Sequence, residues 1–238
     1  MGKLYSELDE RLTKFIAAQP VFFVATAPCL TATGDGGHVN VSPKGYRDSF
    51  AVLSSRQVAY LDLTGSGAET IAHLRQNGRI TIMFCSFDRQ PKILRLQGTG
   101  QVIVPGAAGW PDLVAHFPVT GLAGNGPSRR AIIVVNLDRI ADSCGYAVPI
   151  MELVAERDVL TRSDERKTPA EMEAYRAAKN SVSIDGLPAL SGLAGPSDPG
   201  EPSDPGGPSD LTGQRGRPQH GGAQAPASRE TGTDLAAD

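Results

Sequence analysis

Apolar residues recur every three to four positions at the start of the chain and every two positions along most of its middle. Leu8, Leu12, Phe15 and Ile16 fall on one side of a helical wheel within Tyr5 to Ala18, and Pro20 closes the segment. This spacing predicts an amphipathic leading helix. Six β-type runs come next, "VFFVATAP", "HVNVS", "VAYLDL", "RITIMFCSF", "ILRLQGTGQVIV" and "AIIVVNLDRI", separated by Gly, Asn, Asp and Pro. Runs of this length, rich in Val, Ile, Phe and Tyr and joined largely by turns, predict a six-stranded antiparallel sheet or barrel.

Helical patterns interrupt the strands. One follows "TGSGAE", where Ser66 and Glu69 have the spacing of a capping box and Asn77-Gly78 provides the stop. A second lies around "AGWPDLVAHFP", and a third is "TPAEMEAYRAAKN", with Thr168 as cap and Pro169 at its first position. From Ser191 onward there are ten Gly and seven Pro in 48 residues, no Phe, Trp, Tyr, Ile or Val, and a "PSD" repeat at Pro196, Pro202 and Pro208. Such a segment lacks the apolar surface needed to fold, so residues 191–238 are expected to be a disordered tail and 1–190 the working domain.

Composition narrows the function. The net charge is −3, but the tail carries seven acidic and three basic residues, which leaves the body at about +1 by difference and disfavours a nucleic-acid partner. Three cysteines, Cys29, Cys85 and Cys144, are too widely spaced for a zinc site and odd in number for a disulfide framework. No run suits a signal peptide or a membrane span, so a cytoplasmic protein is expected. Metal and nucleophile chemistry find little footing: His38, His73 and His116 form no local ligand pair, there is no G-x-S-x-G elbow, and Cys144 has no base nearby in sequence.

Two stretches suit ligand binding. In "HVNVSPKG" the two-residue period places Asn40, Ser42 and Lys44 on one face, and Pro43, which cannot donate to a ladder, implies that the strand leaves its sheet there or lies at an edge. An exposed edge strand protected by a lysine has the same pattern. In "DLTGSGAET", Asp62 to Thr70, a strand passes through two glycines into a helix, an arrangement suited to an anion, with hydroxyls on Thr64, Ser66 and Thr70. A capped helix start accounts for it equally well. Arg95, Gln97, Thr99 and Gln101 form a polar face of a later strand, and "DSCGYAVP" offers Tyr146 as an aromatic able to lie on a planar ring.

Taken in order, "FFVATA", "HVNVSPKG", "VAYLDLTGSGAETIAHLRQNGRITIMFCSF", "ILRLQGTGQVI" and "SCGYAVP" resemble the pyridoxamine 5′-phosphate oxidase-like, FMN-binding split-barrel proteins. The resemblance implies a mainly β fold, a six-stranded antiparallel split barrel with flanking helices. It also implies a homodimer that binds FMN between its subunits, and flavin-dependent oxidoreductase activity on a small molecule. Related barrels take F420 or haem, and a flavin-binding module without turnover is a further alternative.

Carried over to this chain, the FMN contacts fall on Asn40, Val41, Ser42 and Lys44 of the strand, on Leu63, Thr64, Ser66 and Thr70 of the turn, and on Lys92 and Tyr146. Where the family has adjacent basic residues in the turn, this chain has Gly67, Ala68 and Glu69, so Lys44, the helix start and Arg79 are left to balance a phosphate. The family's second basic cluster, which holds the substrate's phosphate, has no counterpart here.

Overall fold

The structure, a computed structural model, describes residues 2–30, 33–118, 122–123 and 126–193. The expected disordered tail from residue 194 onward therefore lies outside the described residues. No described helix is long and apolar enough to cross a membrane.

Eight strands form one antiparallel sheet: β1 (Leu4–Tyr5), β2 (Phe22–Thr26), β3 (Asn40–Lys44), β4 (Phe50–Ser54), β5 (Gln57–Leu63), β6 (Arg79–Cys85), β7 (Ile93–Ile103) and β8 (Arg129–Ser143). The spatial order is β3-β2-β6-β7-β8-β5-β4, with β1 paired to β8. All six expected runs are strands. The two additional ones are short segments: β1, where the first residues pair with β8 instead of joining the leading helix, and β4, which forms a hairpin with β5.

The edge strands β3 and β4 share no ladder, yet the sheet curls enough to bring β4 against β2 and β6. Phe22 of β2 lies with its ring centroid 5.1 Å from Phe50 of β4 and 5.5 Å from Tyr60 of β5, and Phe50 lies 5.1 Å from Phe84 of β6. Edge-to-face aromatic packing thus fills the barrel where its hydrogen bonding is interrupted.

Helix α1 (Glu10–Ala18) is shorter than the periodicity suggests, because Asp9 caps it by accepting from the Leu12 amide at 2.7 Å. Leu12 and Ile16 are buried as expected. The expected Ser66 capping box is not formed: α2 (Glu69–Asn77) starts at Ala68 with no side-chain cap, and Ser66 is exposed. The Glu69 carboxylate lies over Gly67, where a Cβ would meet Oε2 at 2.5 Å. Gly78 ends α2 at φ 71°, the left-handed conformation that glycine adopts at least cost.

Strand β8 is apolar at consecutive positions because both of its faces are covered. Ile133, Val135 and Leu137 enter the main core, while Ile132 and Val134 join Leu61 and Phe117 in a second cluster beside α3 (Trp110–Val114). Gly98 of β7 is required by proximity, since a Cβ there would sit 2.0 Å from the Asn136 carbonyl of β8, at the register shift.

After β8 the chain runs extended to α4 (Val159–Asp164) and α5 (Pro169–Lys179). Helix α5 is capped by Thr168 as expected, with Glu171 completing a capping box beyond that expectation, and Pro169 is in its first turn. The residues after α5 are part of the body. Leu187 and Ala189 are buried, Leu190 and Leu193 pack on the core, and Arg75 of α2 donates to the Ala189 and Ser191 carbonyls. The sequence places the domain end at Leu190; core packing continues to Leu193.

A chain ending at Leu193 should melt at the full-length temperature. One ending at Lys179 should unfold about 6–12 °C lower, since it loses the buried Leu187 and Ala189 and the carbonyls that accept from Arg75, a cost of roughly 3 kcal/mol. Circular dichroism melts compare them, and equal melting of all three chains would mean that the terminal residues are not integral.

Candidate functional site

The last residues of β3, the end of β5 and the extended segment before α4 enclose a cleft of about 890 Å³. Pro43, Lys44, Gly45 and Tyr46 form one side, Leu61, Leu63, Thr64 and Gly65 the floor, and residues 155–163 the cover. A Cβ added at Gly45 or Gly65 would meet no atom within 4 Å, so both glycines hold space open. Tyr46 has φ 63°, the one positive φ at a non-glycine among the described residues, and its hydroxyl donates to the Arg157 carbonyl at 2.8 Å. This hydrogen bond fastens the cover to the mouth of the cleft, at a residue held in a costly backbone conformation.

Lys44 is neither free in solvent nor buried. Its side chain is 22% exposed, and Nζ lies 3.1 Å from Oδ1 of Asp62, a carboxylate with no exposed surface. Oδ2 of the same carboxylate accepts from Nε of Arg130, also buried, at 2.7 Å. Burial pushes the Asp62 carboxyl upward, but Arg130 and Lys44 outweigh it and hold the pKa at about 2. One carboxylate thus serves two cations, and the three groups together carry one net positive charge.

A third cation approaches from α5. Arg176 donates through Nε to the Thr64 hydroxyl at 2.9 Å and through Nη2 to the Pro127 carbonyl. Asn180 donates to the Gly65 carbonyl at 2.8 Å, so the turn expected to receive an anion is fixed from behind by the C-terminal segment.

Of the residues expected to contact a cofactor, Lys44, Leu63 and Thr64 line the cleft. Asn40, Ser42 and Thr70 are joined instead in a polar chain: Ser42 donates to Asn40 at 3.0 Å, and Asn40 to Thr70 at 3.0 Å. Val41 is exposed on the opposite face of β3, and Ser66 on the turn.

Lys92 and Tyr146 are not part of the cleft lining. Lys92 lies 3.8 Å from Asp142 and over the Phe15 ring, and Tyr146 is 83% exposed. Arg79, expected to help balance a phosphate, lies instead near Cys29, with Nη2 4.0 Å from Sγ. The supporting cations are Arg130 and Arg176. "SRRAIIVV" held a signal for the first, an arginine leading into a doubly buried strand; Arg176, on a polar helix 112 residues from Thr64, had none.

His38 and His73, the candidates for a haem's axial ligand, are not part of the cleft lining. Both the ring and the backbone N–H of His38 are held by Asp185, and His73 is buried with Nδ1 2.9 Å from the Thr26 hydroxyl. No group of three or more His, Cys, Asp or Glu side chains suited to a metal occurs among the described residues.

Comparison with known proteins is consistent across the body of the chain. Residues 8–144 match the family model described as pyridoxamine 5′-phosphate oxidase. The pyridoxamine 5′-phosphate oxidase family protein ustO of Aspergillus flavus is 42% identical over 204 residues, covering 80% of this chain and 78% of that protein. Among solved structures, an FMN-binding protein from Syntrophomonas wolfei aligns with TM-score 0.37 and 12% identity over 54% of this chain and 81% of that one. HutZ of Vibrio cholerae, described as a haem storage protein, aligns with TM-score 0.39 and 16% identity over 58% and 97%.

Proposed function

The chain belongs to the pyridoxamine 5′-phosphate oxidase family, and from that premise we propose that it is an FMN-dependent oxidoreductase whose cofactor occupies the cleft beside Lys44. The observation that carries this reading is the partly exposed Lys44 ammonium in a cleft that also presents the apolar side chains of Leu61, Leu63, Val159 and Leu160. A volume of about 890 Å³ lies within the roughly 300–1,000 Å³ of small-molecule sites. Leu61, Leu63, Val159 and Leu160 suit the planar ring, and Lys44 suits the phosphate. Gly45 and Gly65 leave room for close backbone approach.

When bound, the flavin supplies hydride and electron transfer. The chain's own part is binding and positioning. Lys44 holds the anionic end, while Asp62 fixes the lysine's direction. Arg130 keeps Asp62 ionised, so the lysine retains its partner across the physiological range. Tyr46 draws the cover over the ring and limits water. The family's second basic cluster, which receives the substrate's phosphate, has no match in the sequence, and this disfavours pyridoxamine phosphate as the substrate.

A homodimer belongs to the same reading. Ile150, Met151 and Val154 of the extended segment are 70%, 58% and 95% exposed, apolar surface that a second copy would cover.

Purified protein should be yellow, retain FMN through equilibrium dialysis, release it on denaturation for identification by mass spectrometry, and sediment at twice the chain mass. A colourless protein that leaves added FMN free removes the flavin assignment, and a monomer removes the dimer. Sustained reduction of an acceptor by NADH or NADPH distinguishes an enzyme from a flavin-binding module without turnover.

A further inference from the structure

Behind the Thr64–Gly65 turn, on the side away from the cleft, lies a second cavity of about 620 Å³ between β8, α5 and the C-terminal segment. Val104, Pro105, Leu190 and Leu193 give it apolar walls, and two guanidinium side chains, Arg130 and Arg176, line it. Arg130 is only 5% exposed. Its Nε is committed to Asp62 and its Nη1 to the Gly65 carbonyl at 3.5 Å, whereas Nη2 has no acceptor among the described residues. Arg176 uses Nε and Nη2 and likewise retains Nη1. Neither free nitrogen is sealed in protein. Two arginines from different elements, each with one nitrogen left over, thus line a chamber that is otherwise mostly apolar.

The charges nearby do not cancel. Lys44, which lines the cleft and not this cavity, is balanced by Asp62, so that Arg130 and Arg176 face only Glu173 at the cavity wall, which forms no ion pair with Arg176. Asp164, the remaining carboxylate close to Arg176, is taken by Lys167 at 3.5 Å. One positive charge remains. Burial, and then repulsion from Arg130, both act against the Arg176 cation, and an anion seated between the two guanidinium groups relieves both. A phosphate dianion would overshoot a single excess charge, whereas a carboxylate matches it and accepts from guanidinium in the favoured planar geometry.

We infer that this second cavity binds a small organic monocarboxylate with an apolar body, its carboxylate held by Arg130 and Arg176 and its body by Val104, Leu190 and Leu193. The site is separate from the cofactor cleft and does not depend on its assignment. Ligand binding would tighten the Thr64–Gly65 turn from behind, because Arg176 touches both.

The test is a melt of the full flavin-free chain with benzoate and hexanoate, alongside benzyl alcohol, hexanol and inorganic phosphate. Benzoate and hexanoate should each raise the melting temperature with saturation, and the alcohols and phosphate should not. Arg176→Gln should weaken carboxylate binding at least tenfold, with partial recovery in Arg176→Lys. Ala177→Trp, which fills the cavity without touching either guanidinium bond, should abolish binding in a chain that still melts cooperatively.

Equal shifts from acid and alcohol, an effect of phosphate alone as large as that of benzoate, or native affinity in both Arg176→Gln and Ala177→Trp would each overturn the proposal. Adding FMN separates the two sites. Unchanged benzoate affinity, including that of a chain that binds no FMN, supports an independent site, and competitive displacement by FMN overturns it.

Discussion

Replacement of Asp62 by alanine should lower folding stability by about 3–5 kcal/mol, the largest loss expected from any single change near the cleft. The carboxylate has no exposed surface and bonds both Lys44 and Arg130. Lys44 can turn toward solvent once released, but Arg130 is 5% exposed and keeps its charge inside the protein. Asp62→Asn keeps the shape and removes only the charge, so it should lie between native and alanine.

The same carboxyl makes stability depend on acid. Its pKa is 3.8 in the unfolded reference and about 2 in the folded chain. Between those values the unfolded chain binds more protons, and stability rises with pH. The contribution, about 2 kcal/mol, is fully present above the unfolded value and is lost as pH falls through the folded one. Urea unfolding at pH 5 and at pH 2.5 should show the fall in the native chain and a smaller one in Asp62→Asn. Equal slopes for the two would assign the acid sensitivity to other groups.

Removal of the Lys44 ammonium should act on the cofactor and leave the fold nearly intact, since Asp62 keeps Arg130. A charge-assisted contact to phosphate contributes roughly 1.5–3 kcal/mol, so Lys44→Ala should bind FMN about ten- to a hundredfold more weakly. Riboflavin has the same ring without the phosphate and should bind the native and Lys44→Ala chains alike. Fluorescence titration of both flavins gives the two ratios. If FMN affinity is unchanged, or riboflavin loses as much as FMN, the lysine does not hold the phosphate.

Much of this architecture can be read from residue order, because it depends on local rules. The period of two in "RITIMFC" and "ILRLQGTGQVI" reports strands whose alternate side chains meet a core and a polar face. Thr168 and Gly78 report helix ends that their own neighbours enforce. Lys44 stood out because Pro43 beside it cannot donate to a ladder; the structure resolves this as an edge strand, with β3 still paired to β2 through Pro43 and Lys44, and Lys44 lines the cleft.

The Ser66 box failed although its spacing was right. A cap requires a particular backbone entry into the helix, and the turn is held from behind by Arg176 and Asn180 and does not adopt it. What folding alone decided was which charges meet. Asp62 and Lys44 stand 18 positions apart, Asp62 and Arg130 68, and Thr64 and Arg176 112. Such encounters depend on how the sheet curls and where α5 docks, and both are set by burial summed over the whole core, which has no signature in any short stretch of chain.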